Sequence, residues 1–258
     1  MLTEVTGLVL RGVNLGEADR LITIFTKEMG NVSAMVKSAR SLKSKNMYST
    51  QQFCYSSFIL MSRGDKYWVK EANLIESFYG LRESIEALSL AGYIVEVLSD
   101  VTVAEREDEL LRLALNCLYS LSEKKYDLEK IKAAFEIRSL SIIGFMPDVL
   151  YCVDCRCRDG EFFFDILGGY IRCYECHSKA ERENRYIPDD GERHIVSILS
   201  EGAKIALGYL VHSPIERIFA FNISDEDMHL LSRATEEYLL NQLERSFKSL
   251  EFYKEVKR

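Results

Sequence analysis

The segment 152–176, CVDCRCRDGEFFFDILGGYIRCYEC, constrains the fold more than any other part of this 258-residue chain. It contains two Cys-x-x-Cys pairs, separated by seventeen residues. A Cys-x-x-Cys turn directs two thiolates at one point, and two such turns brought together complete a tetrahedron around Zn²⁺. The spacing C-x2-C-x17-C-x2-C is typical of zinc sites. We therefore predict one structural zinc ion, because four sulfur ligands leave no open position for water or substrate. The predicted ligands are Cys152, Cys155, Cys173 and Cys176.

The residues between the two pairs indicate how the pairs meet. Aromatic and branched residues flank Gly168-Gly169 in FFFDILGGYIR, which predicts a β-hairpin with the glycines in its turn. Redox chemistry would favour a single exposed Cys-x-x-Cys at the start of a helix, and unbound thiols are the other alternative. Cys157 and His177 follow Cys155 and Cys176 so closely that we expect strain to keep them out of the ligand set.

Composition indicates a reducing compartment. The hydrophobic fraction of 47% is ordinary for a chain that buries a core. The N-terminal sequence MLTEVTGLVL lacks the basic start and long apolar run of a signal peptide. No apolar stretch approaches the ~18–20 residues that span a bilayer. We therefore expect a cytosolic protein without a membrane partner, in which disulfides do not form.

The charge of the chain is unevenly distributed. The net charge is −7, but residues 1–80 hold ten Lys or Arg against seven Asp or Glu, which gives +3 and leaves −10 for the rest. Electrostatic attraction acts over about 8–10 Å in ordinary salt, so the charge of a segment matters more than the total. The acidic total therefore does not exclude a nucleic-acid partner.

Two hydrophobic periods divide the chain. Residues 1–80 read as about five short strands with glycine-containing turns, which predicts a small barrel of the OB or SH3-like kind. From residue 81 the period is helical, with segments at 81–100, 107–122, 127–145, near 190–210 and at 225–250. We predict an α+β protein with a barrel over 1–80, a helical domain over 81–258, and an embedded zinc module over about 148–182.

A basic segment, KSARSLKSK at 37–45, lies between two predicted strands and has no acidic residue. Its serines are able to donate hydrogen bonds to phosphate oxygens, and small barrels bind nucleic acid on a strand face bordered by loops. A solvated surface loop is the alternative, and the residues alone leave both interpretations open. The cations of this segment are Lys37, Arg40, Lys43 and Lys45.

The N-terminal sequence GLVLRGVNLGEADRLITIFTKEMGNVSAMVKSAR resembles the opening of the RecO family of bacterial recombination mediators. The shared pattern is a Gly-x-Val-Leu strand, a Gly-Glu-x-Asp turn, an apolar strand ending in Thr, a Gly, and a Lys-x-x-Arg basic loop. The helical middle, Gly-Phe-Met-Pro at 144–147 and the four-cysteine insertion also fit, so that the resemblance covers most of the chain. The matching N-terminal positions are Gly7, Val9, Leu10, Gly16, Glu17, Asp19, Thr26, Gly30, Lys37 and Arg40.

The resemblance implies a five-stranded OB-fold barrel, a helical domain and an embedded zinc module. It implies a role in RecF-type recombinational DNA repair, with binding of single- and double-stranded DNA and annealing of strands. It also implies two protein partners, which are RecR and the C-terminal tail of the single-stranded-DNA-binding protein. The implied result is that RecA is loaded onto strands coated by the single-stranded-DNA-binding protein. The expected location is the bacterial cytoplasm, at the nucleoid.

The family does not make or break covalent bonds, and the sequence contains no phosphate-binding P-loop and no Ser/His/Asp signature. We therefore expect a protein without enzymatic activity or small-molecule substrate. Two other classes stay open: a zinc-stabilised protein–protein adaptor without direct DNA binding, and an oxidoreductase that uses the paired cysteines. Salt-dependent oligonucleotide binding distinguishes the first alternative, and thiol–disulfide cycling without bound metal distinguishes the second.

Overall fold

The computed structural model describes residues 1–41, 44–101, 108–183 and 195–257. The chain forms two compact units, of which one comprises Met1–Lys125 with Phe247–Arg258 and the other comprises Tyr126–Ser246. Within the described ranges, no helix has both the length and the apolar character needed to cross a membrane.

The first unit contains a closed five-stranded barrel. The strands follow the order β1-β2-β3-β5-β4, and β4 pairs with β1 to close the barrel. All pairs are antiparallel except β3 with β5. This is the α+β architecture with an OB-type barrel that the sequence predicted. The strands are β1 (Leu2–Leu15), β2 (Asp19–Thr26), β3 (Gly30–Val36), β4 (Tyr55–Arg63) and β5 (Lys66–Glu76).

Alternating side chains of the five strands fill the barrel. Because successive strand residues point to opposite faces, every second residue is directed inward. Gly7 is required where β1 lies against β2, since a Cβ at this position would lie 2.6 Å from the Phe25 carbonyl oxygen. The fully buried members of the core include Val9, Ile22, Ile24, Ala34, Val36, Phe58 and Leu60.

Helices make up most of the rest of the described chain. A short 3-10 helix (Tyr79–Glu83) precedes α1, and α1, α2 and α7 belong to the first unit. The Tyr93 ring of α1 packs edge-on against Phe247 with 5.8 Å between ring centroids. The helices are α1 (Ile85–Val101), α2 (Asp108–Ser122), α3 (Leu128–Ile142), α4 (Tyr174–Arg182), α5 (Glu201–His212), α6 (Asp225–Gln242) and α7 (Lys248–Val256).

The second unit combines α3–α6 with a four-stranded sheet of order β6-β8-β7-β9. Strands β7 and β8 form the predicted antiparallel hairpin, and Gly169 adopts the left-handed conformation in its turn (φ 65°). The Ser224 hydroxyl accepts a hydrogen bond from the Asp227 N–H and caps the N-terminus of α6. The strands are β6 (Asp148–Cys152), β7 (Phe162–Asp165), β8 (Tyr170–Cys173) and β9 (Val196–Leu199).

Two predictions about the helices differ from the structure. In the segment near 190–210, residues Val196–Leu199 form the strand β9 and the helix α5 begins only at Glu201, while residues 190–194 lie outside the described ranges. The helical period predicts a single helix over 225–250, but the structure has two, α6 and α7, separated by residues 243–247. Glu244 takes a left-handed conformation (φ 50°) directly after α6, which ends the helix where the apolar spacing alone indicates continuity. The predicted domain boundary at residue 80 and the zinc-module limits stay predictions.

Candidate metal centre and nucleic-acid interface

Four cysteine thiols of the second unit converge on one point. Their Sγ atoms all lie within 4.8 Å of one another, and the Sγ atoms of Cys155 and Cys173 are 3.7 Å apart. For a tetrahedral ion with metal–sulfur bonds of about 2.3 Å, the sulfur–sulfur edge is about 3.8 Å. The observed pair therefore has the separation of two ligands of one ion. The four converging residues are Cys152, Cys155, Cys157 and Cys173.

Short backbone hydrogen bonds shape the loop that holds the first three thiols. The Cys152 N–H donates to the Cys157 carbonyl at 3.0 Å, and the Arg156 N–H donates to the Cys152 carbonyl at 3.0 Å. The Cys173 N–H donates to the Cys152 sulfur at 3.4 Å, which connects this loop to the end of β8. Cys173 is also the residue that precedes α4, so strand, loop and helix start meet at the cluster.

The structure brings the predicted ligands together in two overlapping groups. Cys152, Cys155 and Cys173 belong to the four-thiol group, whereas Cys176 lies within 4.8 Å of Cys152 in a second group that includes the Asp154 carboxylate. The place that the spacing predicted for Cys176 in the four-thiol group is taken by Cys157. Cys157, which we expected strain to keep out of the ligand set, has its sulfur in the four-thiol group, and Arg156 directly before it adopts a left-handed conformation (φ 63°). Which four residues ligate stays a prediction.

The electrostatics of the cluster favour a bound cation. The backbone N–H and the thiol of Cys157 hydrogen-bond to Cys155 and lower the pKa of that thiol to about 6. Burial and the hydrogen bond to Cys155 raise the pKa of Cys157 to about 12. Burial likewise raises the pKa of Cys176. Metal ligation requires deprotonated thiols, so a bound dication would stabilise the thiolate forms of Cys157 and Cys176 that burial disfavours.

The four-thiol donor set fits a soft, tetrahedral metal ion such as Zn²⁺. A metal held by four thiolates would link β6, the 153–157 loop and β8, and it would supply structural cross-linking and no open coordination position. His177 lies beside the cluster, but its ring stacks on Phe163 with 3.7 Å between ring centroids. The His177 ring therefore has a packing role on the sheet.

The basic loop lies in the first unit, directly after β3. Lys37, Arg40 and Lys45 are exposed, whereas Lys43 lies outside the described residues. Ala39, between the first two cations, is only 5% exposed and packs into the barrel core. The loop therefore presents cations to solvent from a segment that is anchored to the barrel.

The β1–β2 turn holds the start of this loop in place. The Asp19 carboxylate accepts a hydrogen bond from the Ser38 N–H at 2.8 Å, and the Arg40 N–H donates to the Ala18 carbonyl at 3.1 Å. The Arg40 guanidinium also donates to the Glu17 carbonyl at 3.1 Å. Sequence reasoning did not connect Glu17 and Asp19 with the basic loop, because these contacts exist only once the barrel has formed.

The end of the loop is attached to β5. The Asn46 side-chain oxygen accepts from the Ala72 N–H at 3.1 Å, and the Ser49 hydroxyl donates to the Ala72 carbonyl at 2.9 Å. Tyr48 lies between these anchors and is 66% exposed. An exposed aromatic ring beside cations is the combination on which single-stranded bases stack.

An arginine-lined pocket of about 290 Å³ adjoins this segment in the first unit. The buried Nε of Arg20 has no hydrogen-bond partner within the described part of the chain. Sequence reasoning missed this pocket, because Arg20 and Arg82 come from distant segments. Its lining consists of Arg20, Met47, Gln51, Gln52, Phe53, Arg82 and Leu88.

Comparison with known proteins covers almost the whole chain. Residues 1–78 match the family model described as "Recombination protein O N terminal", and residues 82–251 match "Recombination protein O C terminal". A curated DNA repair protein RecO of Acetivibrio thermocellus is 37% identical over 99% of this chain and 97% of its own length. The RecO protein of Alkaliphilus metalliredigens is 30% identical over 99% of this chain and all of its own length.

The closed barrel, the helices and the cysteine cluster define an α+β protein of the OB-barrel class with a thiol-rich module. Within that class the family matches are decisive, because they extend through both the barrel and the helical part. The chain belongs to the RecO family of DNA repair proteins, and its general role is in recombinational repair.

Proposed function

We propose that this chain is a recombination mediator that binds single- and double-stranded DNA through its barrel and anneals complementary strands. With RecR, it helps to load RecA onto strands coated by the single-stranded-DNA-binding protein, whose C-terminal tail it contacts. The observation that carries the proposal is the anchored loop that exposes Lys37 and Arg40 beside the arginine-lined pocket. The sequences of relatives that are named DNA repair protein RecO support the same role.

The geometry of the loop suits binding to the DNA backbone without sequence preference. Exposed Lys and Arg side chains neutralise phosphates and release counterions, which gives affinity but no base discrimination. The hydrogen bonds of Asp19 and Asn46 hold the two ends of the loop before DNA arrives, which reduces the ordering entropy that these ends lose on binding. Tyr48 supplies a stacking surface that accepts any base.

The other parts of the molecule complete this proposal. The metal of the cysteine cluster is zinc, and its role is to hold the module together. The protein acts by binding and bringing strands together, with no covalent step of its own, in the cytoplasm at the nucleoid. Residues 1–80 are the DNA-binding domain, and residues 81–258 form the helical domain that contains the zinc module at about 148–182.

Replacing Lys37 and Arg40 together by alanine tests the position of the DNA surface. Four phosphate contacts on a single strand give a log–log salt slope of roughly −3, and the loss of two contacts makes it shallower by roughly 1.4. We expect weaker binding to every sequence by a similar factor, because phosphates are contacted and bases are not. Fluorescence anisotropy with oligonucleotides of two unrelated sequences, measured over a range of salt concentrations, gives both quantities.

The hairpin turn between β4 and β5 provides a matched control. Arg63 and Lys66 are also one arginine and one lysine, exposed on the same barrel. Strands β3 and β5 run parallel to each other. The β4–β5 turn comes before the paired residues of β5, whereas the basic loop comes after the paired residues of β3. The turn and the basic loop therefore lie at opposite ends of this strand pair. Arg63→Ala/Lys66→Ala should change the salt slope less than the loop variant does.

Two results would contradict the proposal. An unchanged affinity and salt slope in the loop variant, with a large loss in Arg82→Ala, would move the DNA surface from the loop to the pocket. Absence of salt-dependent DNA binding by the unmodified protein would favour the adaptor function.

A further inference from the structure

The cysteine cluster contains one thiol more than a tetrahedral ion accepts. Four sulfurs lie mutually within 4.8 Å, and Cys176 is a fifth, within 4.8 Å of the Cys152 sulfur that the first group also contains. A structural zinc site binds four ligands and no more. If the cluster holds a metal, one of the five thiols is therefore outside the coordination sphere at any moment.

Three of the thiols have positions that favour permanent ligation. Cys152 is fully buried and belongs to both groups. Cys155 and Cys173 have the 3.7 Å sulfur separation of two ligands on one ion. Cys157 and Cys176, which are both half-buried, are the two candidates for the fourth ligand position of the metal.

The backbone supports Cys157 and Cys176 in different ways. Cys157 is carried by the tight loop that the Cys152–Cys157 backbone hydrogen bond closes. Cys176 projects from the first turn of α4, a rigid element that begins directly after Cys173. Both thiols therefore approach the centre from separate segments of the backbone.

Asp154 is the other group near Cys176, and it is already engaged. Its carboxylate accepts a hydrogen bond from Arg172 Nε at 2.8 Å. A soft metal ion in a sulfur-rich site also prefers thiolate to carboxylate. The choice of fourth ligand therefore lies between the two thiols.

We infer that Cys157 and Cys176 are interchangeable fourth ligands of a five-thiol metal centre. The inference rests on the proposed metal centre. In the exchange, the incoming thiol releases its proton to solvent and forms a sulfur–metal bond, while the outgoing thiolate leaves the metal and takes up a proton. No atom changes its oxidation state.

Cobalt substitution tests this inference by spectroscopy. Co²⁺ bound by four thiolates has intense ligand-field bands and sulfur-to-cobalt charge transfer, which weaken when a thiolate is lost. The full-length protein, Cys157→Ser, Cys176→Ser, the double variant and Cys155→Ser are titrated with Co²⁺. We expect the two single variants to keep the four-thiolate spectrum at about one ion per chain, and the double variant and Cys155→Ser to lose it.

Thiol alkylation of the zinc-loaded, unmodified protein provides an independent measurement that needs no variant to fold. Mass spectrometry after brief iodoacetamide treatment should find label divided between Cys157 and Cys176, with the other three thiols of the centre protected. Molecules labelled at one of the two positions should rarely carry label at the other, because the remaining thiol stays on the metal.

Three results would overturn the inference. Loss of the four-thiolate spectrum in Cys176→Ser but not in Cys157→Ser, with label only on Cys157, would make Cys157 a bystander. The reverse pattern would make Cys176 the bystander. Failure of the unmodified protein to bind any metal would instead contradict the proposed metal centre itself. This outcome is distinguishable from the first two, because in those the unmodified protein does bind metal.

Discussion

Removal of the metal from the cysteine centre is expected to unfold the 148–176 segment while the barrel stays folded. The strands of this segment are only four or five residues long, and the 153–161 connection has no helix or strand. Elements this short do not supply enough buried apolar surface to be stable alone. Structural zinc contributes about 10–16 kcal/mol of apparent binding free energy in small modules, so a metal bound by these cysteines would be the dominant local stabilising contribution.

Cys152→Ser and Cys173→Ser should each reproduce the effect of a chelator. Both sulfurs lie in the four-thiol group, and serine does not replace a thiolate as a ligand for a soft metal ion. Hydrogen exchange of peptides from 148–176 and from the barrel, together with metal analysis, measures the effect. We expect loss of protection in the first region only, and about one zinc ion per chain in the unmodified protein.

Cys54→Ser is the matched control for these variants. The Cys54 thiol is buried in the first unit and donates a hydrogen bond to the Tyr48 carbonyl at 3.3 Å, which a serine hydroxyl is able to keep. Its metal content and its exchange pattern over 148–176 should therefore equal those of the unmodified protein. A folded 148–176 segment with well under half an equivalent of metal, in protein never exposed to a chelator, would contradict the prediction.

The parts of the fold that the sequence predicted are those determined by local pattern. The barrel strands alternate buried and exposed residues and end at glycine-containing turns, such as Gly64 in the turn between β4 and β5 (φ 57°). The β7–β8 hairpin follows from its aromatic strands and Gly169 in the same way. In each case, neighbouring residues carry enough information for both the element and its end.

The predictions that differed from the structure depend on backbone conformations that residue type does not reveal. Glu244 and Arg156 both adopt left-handed conformations, although neither is glycine or asparagine. The first lies between α6 and α7, and the second lies between Cys155 and Cys157 of the four-thiol group. Non-glycine residues rarely take this conformation, so a sequence interpretation assigns it to them only with tertiary information.

The candidate site likewise combines features that the sequence predicted with features that only the folded structure reveals. The exposed cations Lys37 and Arg40 were recognisable from composition, but the contact of Asp19 with Ser38 and the pocket around Arg20 require the folded barrel. The cysteine spacing predicted a cluster, while the inclusion of a fifth thiol depended on the loop geometry. The residue types therefore indicated the chemistry of the candidate site, but they did not reveal how the fold arranges those residues.

Lys132→Met is expected to destabilise the second unit by about 3–5 kcal/mol, the range for removing one partner of a buried ion pair. Lys132 is 2% exposed and pairs with Glu136 of its own helix α3 at 3.0 Å and with Glu236 of α6 at 2.9 Å. Glu136 is fully buried and also accepts a hydrogen bond from Thr235 at 2.8 Å. Methionine fills the space of the lysine stem but leaves the Glu136 carboxylate without its cation.

The pH dependence of the loss follows from the direction of two pKa shifts. Burial raises the pKa of Glu136, with Lys132 opposing the shift. Burial alone would lower the pKa of Lys132, but Glu136 and Glu236 raise it above its ordinary value. The contribution of Lys132 is therefore present at neutral pH and disappears only as the pH rises through its raised, folded-state pKa.

Glu136 determines how the variant responds to acid. A carboxyl group with a raised folded-state pKa contributes most to stability below its unfolded pKa, and the contribution is lost as pH rises through the folded value. Without Lys132, the pKa of Glu136 rises further. Between pH 5 and pH 7, Lys132→Met therefore loses more stability than the unmodified protein does. The difference in unfolding free energy should be largest at pH 7 and smaller at pH 5.

Urea unfolding monitored by circular dichroism at the two pH values measures this difference. Arg233→Met is the matched control, because Arg233 pairs with Glu237 on α6 but its side chain is 66% exposed. An exposed pair contributes about 0–1 kcal/mol, so this control should remain close to the unmodified protein at both pH values. A loss for Lys132→Met no larger than that of Arg233→Met would show that Lys132 and its glutamates contribute no more than a surface ion pair. A loss that grew toward pH 5 would mean that Glu136 does not carry the uncompensated charge.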